Sequence, residues 1–198
     1  MSRKVFDIIA SAFGVAVVVA LVVAGGLLTW GHSYVKSQVH DQLAQQQIYF
    51  PPKAAFAHPK AGTEITPSMI PSVSQFAGQQ LLTGEQAKVW ANDFIAVHLS
   101  NMPYHGVYSK ISAAAMANPK NTQLAALKDT AFTGTTLRGL LLEAYAFATI
   151  GTIMLWGAIA SFALAAIMSV LVGLGFWHAR KVTEEEKLLA PKPAAVAS

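Results

Sequence analysis

Cysteine is absent from the 198 residues. Its absence excludes disulfides, zinc–thiolate sites, iron–sulfur clusters and c-type haem attachment. Charge is scarce as well. Asp, Glu, Lys and Arg together make up 12% of the chain, about half of the ~25% usual in a soluble domain. The net charge of +4 is spread thinly, with no Lys/Arg cluster, so the electrostatic footprint of a nucleic-acid binder is missing. No P-loop, no G-x-G-x-x-G and no G-x-S-x-G is present, which removes the phosphate-cradle and nucleophile-elbow signatures. No run alternates as a strand would. What is abundant is apolar: 54% of residues, with a mean hydropathy of +0.43. A chain of this length cannot enclose that much apolar surface in one soluble core.

The placement of the apolar residues is the informative part. Ile8 to Trp30 is a 23-residue run without a charge, holding twelve Val, Ile, Leu or Phe. As a helix it rises about 35 Å, enough to cross a ~30 Å hydrocarbon layer. Ala144 to Trp177 is a second run, 34 residues without Asp, Glu, Lys or Arg. At about 51 Å it is longer than a bilayer requires, so Ala144 to roughly Thr152 is expected to emerge from the lipid or to tilt within it. A cleavable signal peptide is the rival reading of the first run, with Arg3 and Lys4 as its basic start. The run is long for such a segment, which favours an uncleaved anchor. Arg3 and Lys4 precede the first run, and Arg180, Lys181 and Lys187 follow the second. Both ends therefore point to a cytoplasmic location by the positive-inside rule.

These boundaries divide the chain into a cytoplasmic start (1–7), a first span (8–30), an extracytoplasmic module (31–143), a second span with an outward extension (144–177) and a cytoplasmic tail (178–198). The expected class is an all-α membrane protein, an antiparallel transmembrane hairpin carrying a small helical module. Within the module, Val35, Val39 and Leu43 continue the first helix as a stalk to about Gln47, until Pro51 and Pro52 stop it. Residues 48–82 hold five prolines and no regular period, reading either as an irregular functional arm or as a flexible linker. Thr83 and Gln86 form a capping box that opens a helix with Ala87, Trp90, Ala91, Phe94, Val97 and His98 on one face. Shorter helices are expected over 107–117 and 122–128, and another from Thr133 to Thr136 onward into the second span.

Site chemistry is sparse. The six histidines show no metal-ligand spacing, and His98 reads as a hydrogen-bonded core or interface residue. Neither span carries an ionisable acid or base of the kind that marks ion pathways. No catalytic, cofactor or metal residue is assigned. What the spans carry is spacing. Gly157, Ser161, Ala165, Ser169 and Gly173 recur every four residues, as do Ala12, Ala16, Ala20 and Ala24. Small residues at that interval let helix backbones approach closely in lipid. The two stripes either pack on each other or dock on foreign helices. Tyr49, Phe50, Trp90 and Phe94 are candidate partner contacts, being aromatic residues of the kind enriched at interfaces.

The stretches SQVHDQLAQQQIYFPP (37–52), LTGEQAKVWANDFIAVHL (82–99) and LRGLLLEAYAF (137–147), together with the two-span layout, resemble the actinobacterial respiratory supercomplex association factors. The resemblance implies a non-catalytic accessory subunit of the cytochrome bcc–aa3 oxidase supercomplex, without haem, copper or quinone of its own. Its partners would be membrane subunits of the bcc and aa3 complexes and phospholipids, with no nucleic acid. The alternative is an independent membrane-anchored envelope module that binds a lipid or a secreted protein.

Overall fold

Two long stretches free of proline dominate the chain, and each forms one helix. In the computed structural model, which describes residues 3–59 and 64–181, α1 spans Arg3–Gln45 and α6 spans Thr122–Lys181. Both are long and apolar enough to cross a membrane. Most of the expected cytoplasmic tail, Lys187 included, lies outside the described residues. Shorter helices lie between the two long ones: α2 (Ile70–Val73), α3 (Gly84–Val89), α4 (Ala96–Ser100) and α5 (Tyr108–Ala117), with a π-helical turn over Trp90–Ile95 joining α3 to α4. Among the described residues there is no strand, only an isolated antiparallel bridge between Tyr49 and Gln80.

The ends of the long helices follow from local chemistry. Gln47 adopts a left-handed φ of 52°, and Pro51 and Pro52 then forbid helical continuation. At the start of α6, Asn121 Oδ1 accepts from the Gln123 and Leu124 amides at 3.0 Å each and caps the helix. The separate helices expected over 122–128 and from 133 onward are one uninterrupted helix. No proline lies between 122 and 181, and the ~1 kcal/mol penalty of Gly139 is small against a continuous hydrogen-bond ladder.

The chain divides into two compact units, Met1–Gly31 with Ile153–Ser198, and His32–Thr152. In the first, the two helices meet along a seam. On α1 the buried or half-buried positions include Asp7, Ser11, Gly14, Val18, Leu21, Gly25 and Leu28. On α6 they include Ala158, Ser161, Ala165, Met168, Val172, Gly175 and Ala179. Steps of four and three residues alternate in both sets, the 3.5-residue period of left-handed coiled coils. Gly14 faces Val172, Gly25 faces Phe162, Gly31 faces Met154, Gly157 faces Leu28 and Gly175 faces Ser11. Residue numbers rise on one helix as they fall on the other. Many of the largest residues point away from the seam: Phe13, Leu27, Trp30, Ile153, Trp156, Val170 and Trp177 are all exposed. Of the most apolar window in each long helix, only 17% and 6% is buried, unlike the core helix of a soluble protein.

The second unit is built in the usual way, with large apolar groups inside. Its core joins Val39 and Leu43 of α1 to Phe50, Met69, Val73, Leu81, Val89, Ile95 and Leu141. The proline-rich segment 48–82 supplies four of these residues. It is tied down by backbone bonds from Phe50 to Gln79, Leu81 to Ile48 and Gly78 to Pro51. Gln80 Nε2 also donates to the Ala44 carbonyl at the end of α1. In place of a regular helix or strand the segment uses 3₁₀ turns at Lys53–Phe56, Pro67–Met69 and Ser74–Phe76, plus the single turn of α2. The described part of this segment is therefore neither a flexible linker nor an arm free to wrap on something else. Its apolar side chains, not its backbone period, fix its course.

Candidate functional site

The capping box sits where expected. Gln86 N–H donates to Thr83 Oγ1 at 3.3 Å, and Thr83 N–H donates to Gln86 Oε1 at 3.0 Å. It orients the α3–α4 helical run so that Trp90, Phe94 and His98, four residues apart, stack along one face. Ring centroids are 4.2 Å apart for Trp90–Phe94 and 4.6 Å for Phe94–His98. Phe50 meets Trp90 edge-on at 5.0 Å and Phe76 at 5.2 Å. His98 Nδ1 donates to the Phe94 carbonyl at 2.8 Å, which fixes a proton on that nitrogen. Beside the stack, Arg138 donates to Asn92 Oδ1 at 2.9 Å.

The four aromatic candidates separate on this geometry. Tyr49 is 57% exposed, whereas Phe50 is 2% exposed. Neighbouring residues of an extended segment point to opposite sides, so the bridge at Tyr49 turns one ring out and the next ring in. Phe50 is a core residue of this unit and presents no surface to a partner. Trp90 and Phe94 are half-buried against the same core.

The small-residue stripes separate too. Gly157 and Ser161 are half-buried and Ala165 is buried, while Ser169 and Gly173 are exposed. A Cβ added at Gly173 would meet nothing within 4 Å. Ala12, Ala16 and Ala20 are exposed and Ala24 is half-buried. The cause is arithmetic. A four-residue interval advances about 40° around a helix with 3.6 residues per turn. A stripe that starts on the seam leaves it within two or three steps. The small residues that do meet the opposite helix across the seam include Ser11, Gly14, Gly25 and Gly175. Sequence reasoning misses these four because their 3.5-residue spacing is hidden among more numerous alanines.

Among the described residues no group of three or more His, Cys, Asp or Glu is placed to hold a metal ion. His32 Nδ1 lies 2.8 Å from the Gly151 carbonyl and ties α1 to α6 within the second unit. The concavities among the described residues include two. A groove of about 490 Å³ in the second unit is walled by Leu137, Leu140 and Phe147 and rimmed by Gln38, Gln42 and Gln46. A notch of about 210 Å³ lies at the far end of the seam in the first unit, beside Asp7 and His178. The surfaces on offer are apolar helix faces, an amide-rimmed groove and a partly covered aromatic stack, all of them suited to binding. Comparison with protein-family models, curated proteins and solved structures finds no match to this chain.

Proposed function

We propose that the chain is a non-catalytic accessory subunit of a respiratory-chain membrane complex, the cytochrome bcc–aa3 oxidase supercomplex, and stabilises its assembly. In this reading the seam between α1 and α6 is an antiparallel transmembrane hairpin, both termini are cytoplasmic, and the unit 32–152 is extracytoplasmic. The observation that carries it is the outward surface of the two helices. Large apolar residues and the exposed small positions Ala12, Ala16, Ala20, Ser169 and Gly173 form faces that the internal seam leaves open. In lipid such faces associate with other helices by close packing. The sequence resemblance supplies the identity of the complex.

The decisive experiment replaces small residues that the seam does not use. Ser169→Leu with Gly173→Leu is expected to reduce co-purification with oxidase subunits in mild detergent while the chain stays folded. Undiminished recovery would remove the helix-docking role. Orientation is checked by single cysteines in this cysteine-free chain. A thiol at Lys53 should label from outside the cell and one at Lys187 only after permeabilisation.

A second reading, an independent membrane-anchored envelope module with a lipid or secreted-protein ligand, is favoured by the 490 Å³ groove, which falls within the 300–1,000 Å³ range of ligand sites. Isolation of the chain from gently solubilised membranes with such a ligand, and without oxidase subunits, would select it.

A further inference from the structure

The notch at the end of the seam combines features that helix packing alone does not require. It is lined by Asp7, Ser11, Gly14, Val172, Gly175 and His178, among others. Ser11 is 5% exposed, and the Asp7 side chain retains only 20% of its surface. Asp7 Oδ2 is buried and accepts no hydrogen bond among the described residues. The nearest cationic candidate, His178 Nε2, stands 3.9 Å away, beyond hydrogen-bond reach. A buried carboxylate oxygen without a donor is costly.

The dimensions narrow the ligand. A volume of about 210 Å³ is several times the ~30 Å³ share of a water molecule, too roomy for a bare cation. It is also below the ~300 Å³ at which sites for whole drug-sized molecules begin. It suits a headgroup fragment. The carboxylate selects a cation with N–H donors, and the flanking apolar helix faces select one attached to a lipid.

We propose that this notch receives the primary ammonium of a phospholipid headgroup, with the Asp7 carboxylate as its acceptor. The assignment rests on the membrane-spanning reading above. The test uses the full chain in nanodiscs, with phosphatidylethanolamine and phosphatidylcholine of identical acyl chains competing, and reads retained lipid by native mass spectrometry. The quaternary ammonium of phosphatidylcholine has no N–H to donate. One charge-assisted hydrogen bond predicts about tenfold preference for phosphatidylethanolamine. Asp7→Asn should abolish the preference, and Asp7→Glu should keep most of it. Equal retention of the two lipids by the wild type, or a preference that survives Asp7→Asn, overturns the proposal while leaving the spanning reading intact. A chain that fails to insert overturns both. Free ethanolamine that competes as strongly as the lipid overturns the lipid assignment and gives the notch to soluble amines.

Discussion

The unit formed by 1–31 and 153–198 and the unit formed by 32–152 solve packing in opposite ways. In the first, glycine, alanine and serine interleave with Val18, Leu21, Leu28, Met168 and Val172 along the inside, while Phe13, Trp30, Ile153 and Trp177 lie outside. In the second, Phe50, Met69, Val73 and Leu81 are inside, at 2% exposure or less, and Lys36, Gln38 and Lys110 are outside. Water enforces the second arrangement through the cost of exposed apolar surface. The first suits a setting where apolar surface carries no penalty and close approach of backbones is the available attraction. The difference teaches that burial has two meanings in this chain: exclusion from water in one unit, tight fit in the other.

The largest test of that contrast is a pair of phenylalanine truncations. Phe50→Ala should destabilise the second unit by about 3–5 kcal/mol, seen as a loss of cooperative unfolding in detergent solution. Phe13→Ala, at a site 72% exposed, should change stability by no more than about 0.5 kcal/mol in the same assay. Equal effects would erase the distinction between the units. Next in size is a pair of adjacent glycines. A side chain added at Gly25 runs into the Phe162 ring at 2.9 Å, while one added at Gly26 meets nothing within 4 Å. Gly25→Leu should therefore cost about 1–3 kcal/mol by overpacking and lower chemical cross-linking between α1 and α6. Gly26→Leu should leave cross-linking unchanged. The smallest effect belongs to the cap. Thr83→Ala should cost about 1 kcal/mol and accelerate amide exchange at Gln86, with the seam of the first unit unaffected.

Local chemistry is the legible part of the sequence. The Thr83–Gln86 box, the helix it opens and the charge-free runs all depend on residues within a few positions of one another, and all appear in the structure. The course of 48–82 depends instead on contacts with residues far along the chain: Phe50 with Trp90, Gln80 with Ala44. Proline density signals only that no long helix forms there, and says nothing of which side chains turn inward. The seam falls between these cases. Its glycines are visible, but intervals of four are easier to see than alternating fours and threes. Asp7 lies just outside the first charge-free run, among the few charged residues of the terminus, and only the fold brings it to His178.

The 3.5-residue seam has a consequence for how this pair of helices can change in length. Removing one residue from either helix rotates everything beyond it by about 100°, turning the seam residues beyond that point out of contact. Removing seven turns the seam residues back toward the opposite helix, one heptad out of their original pairing. Viable lengths of the packed pair are thus spaced about 10.5 Å apart.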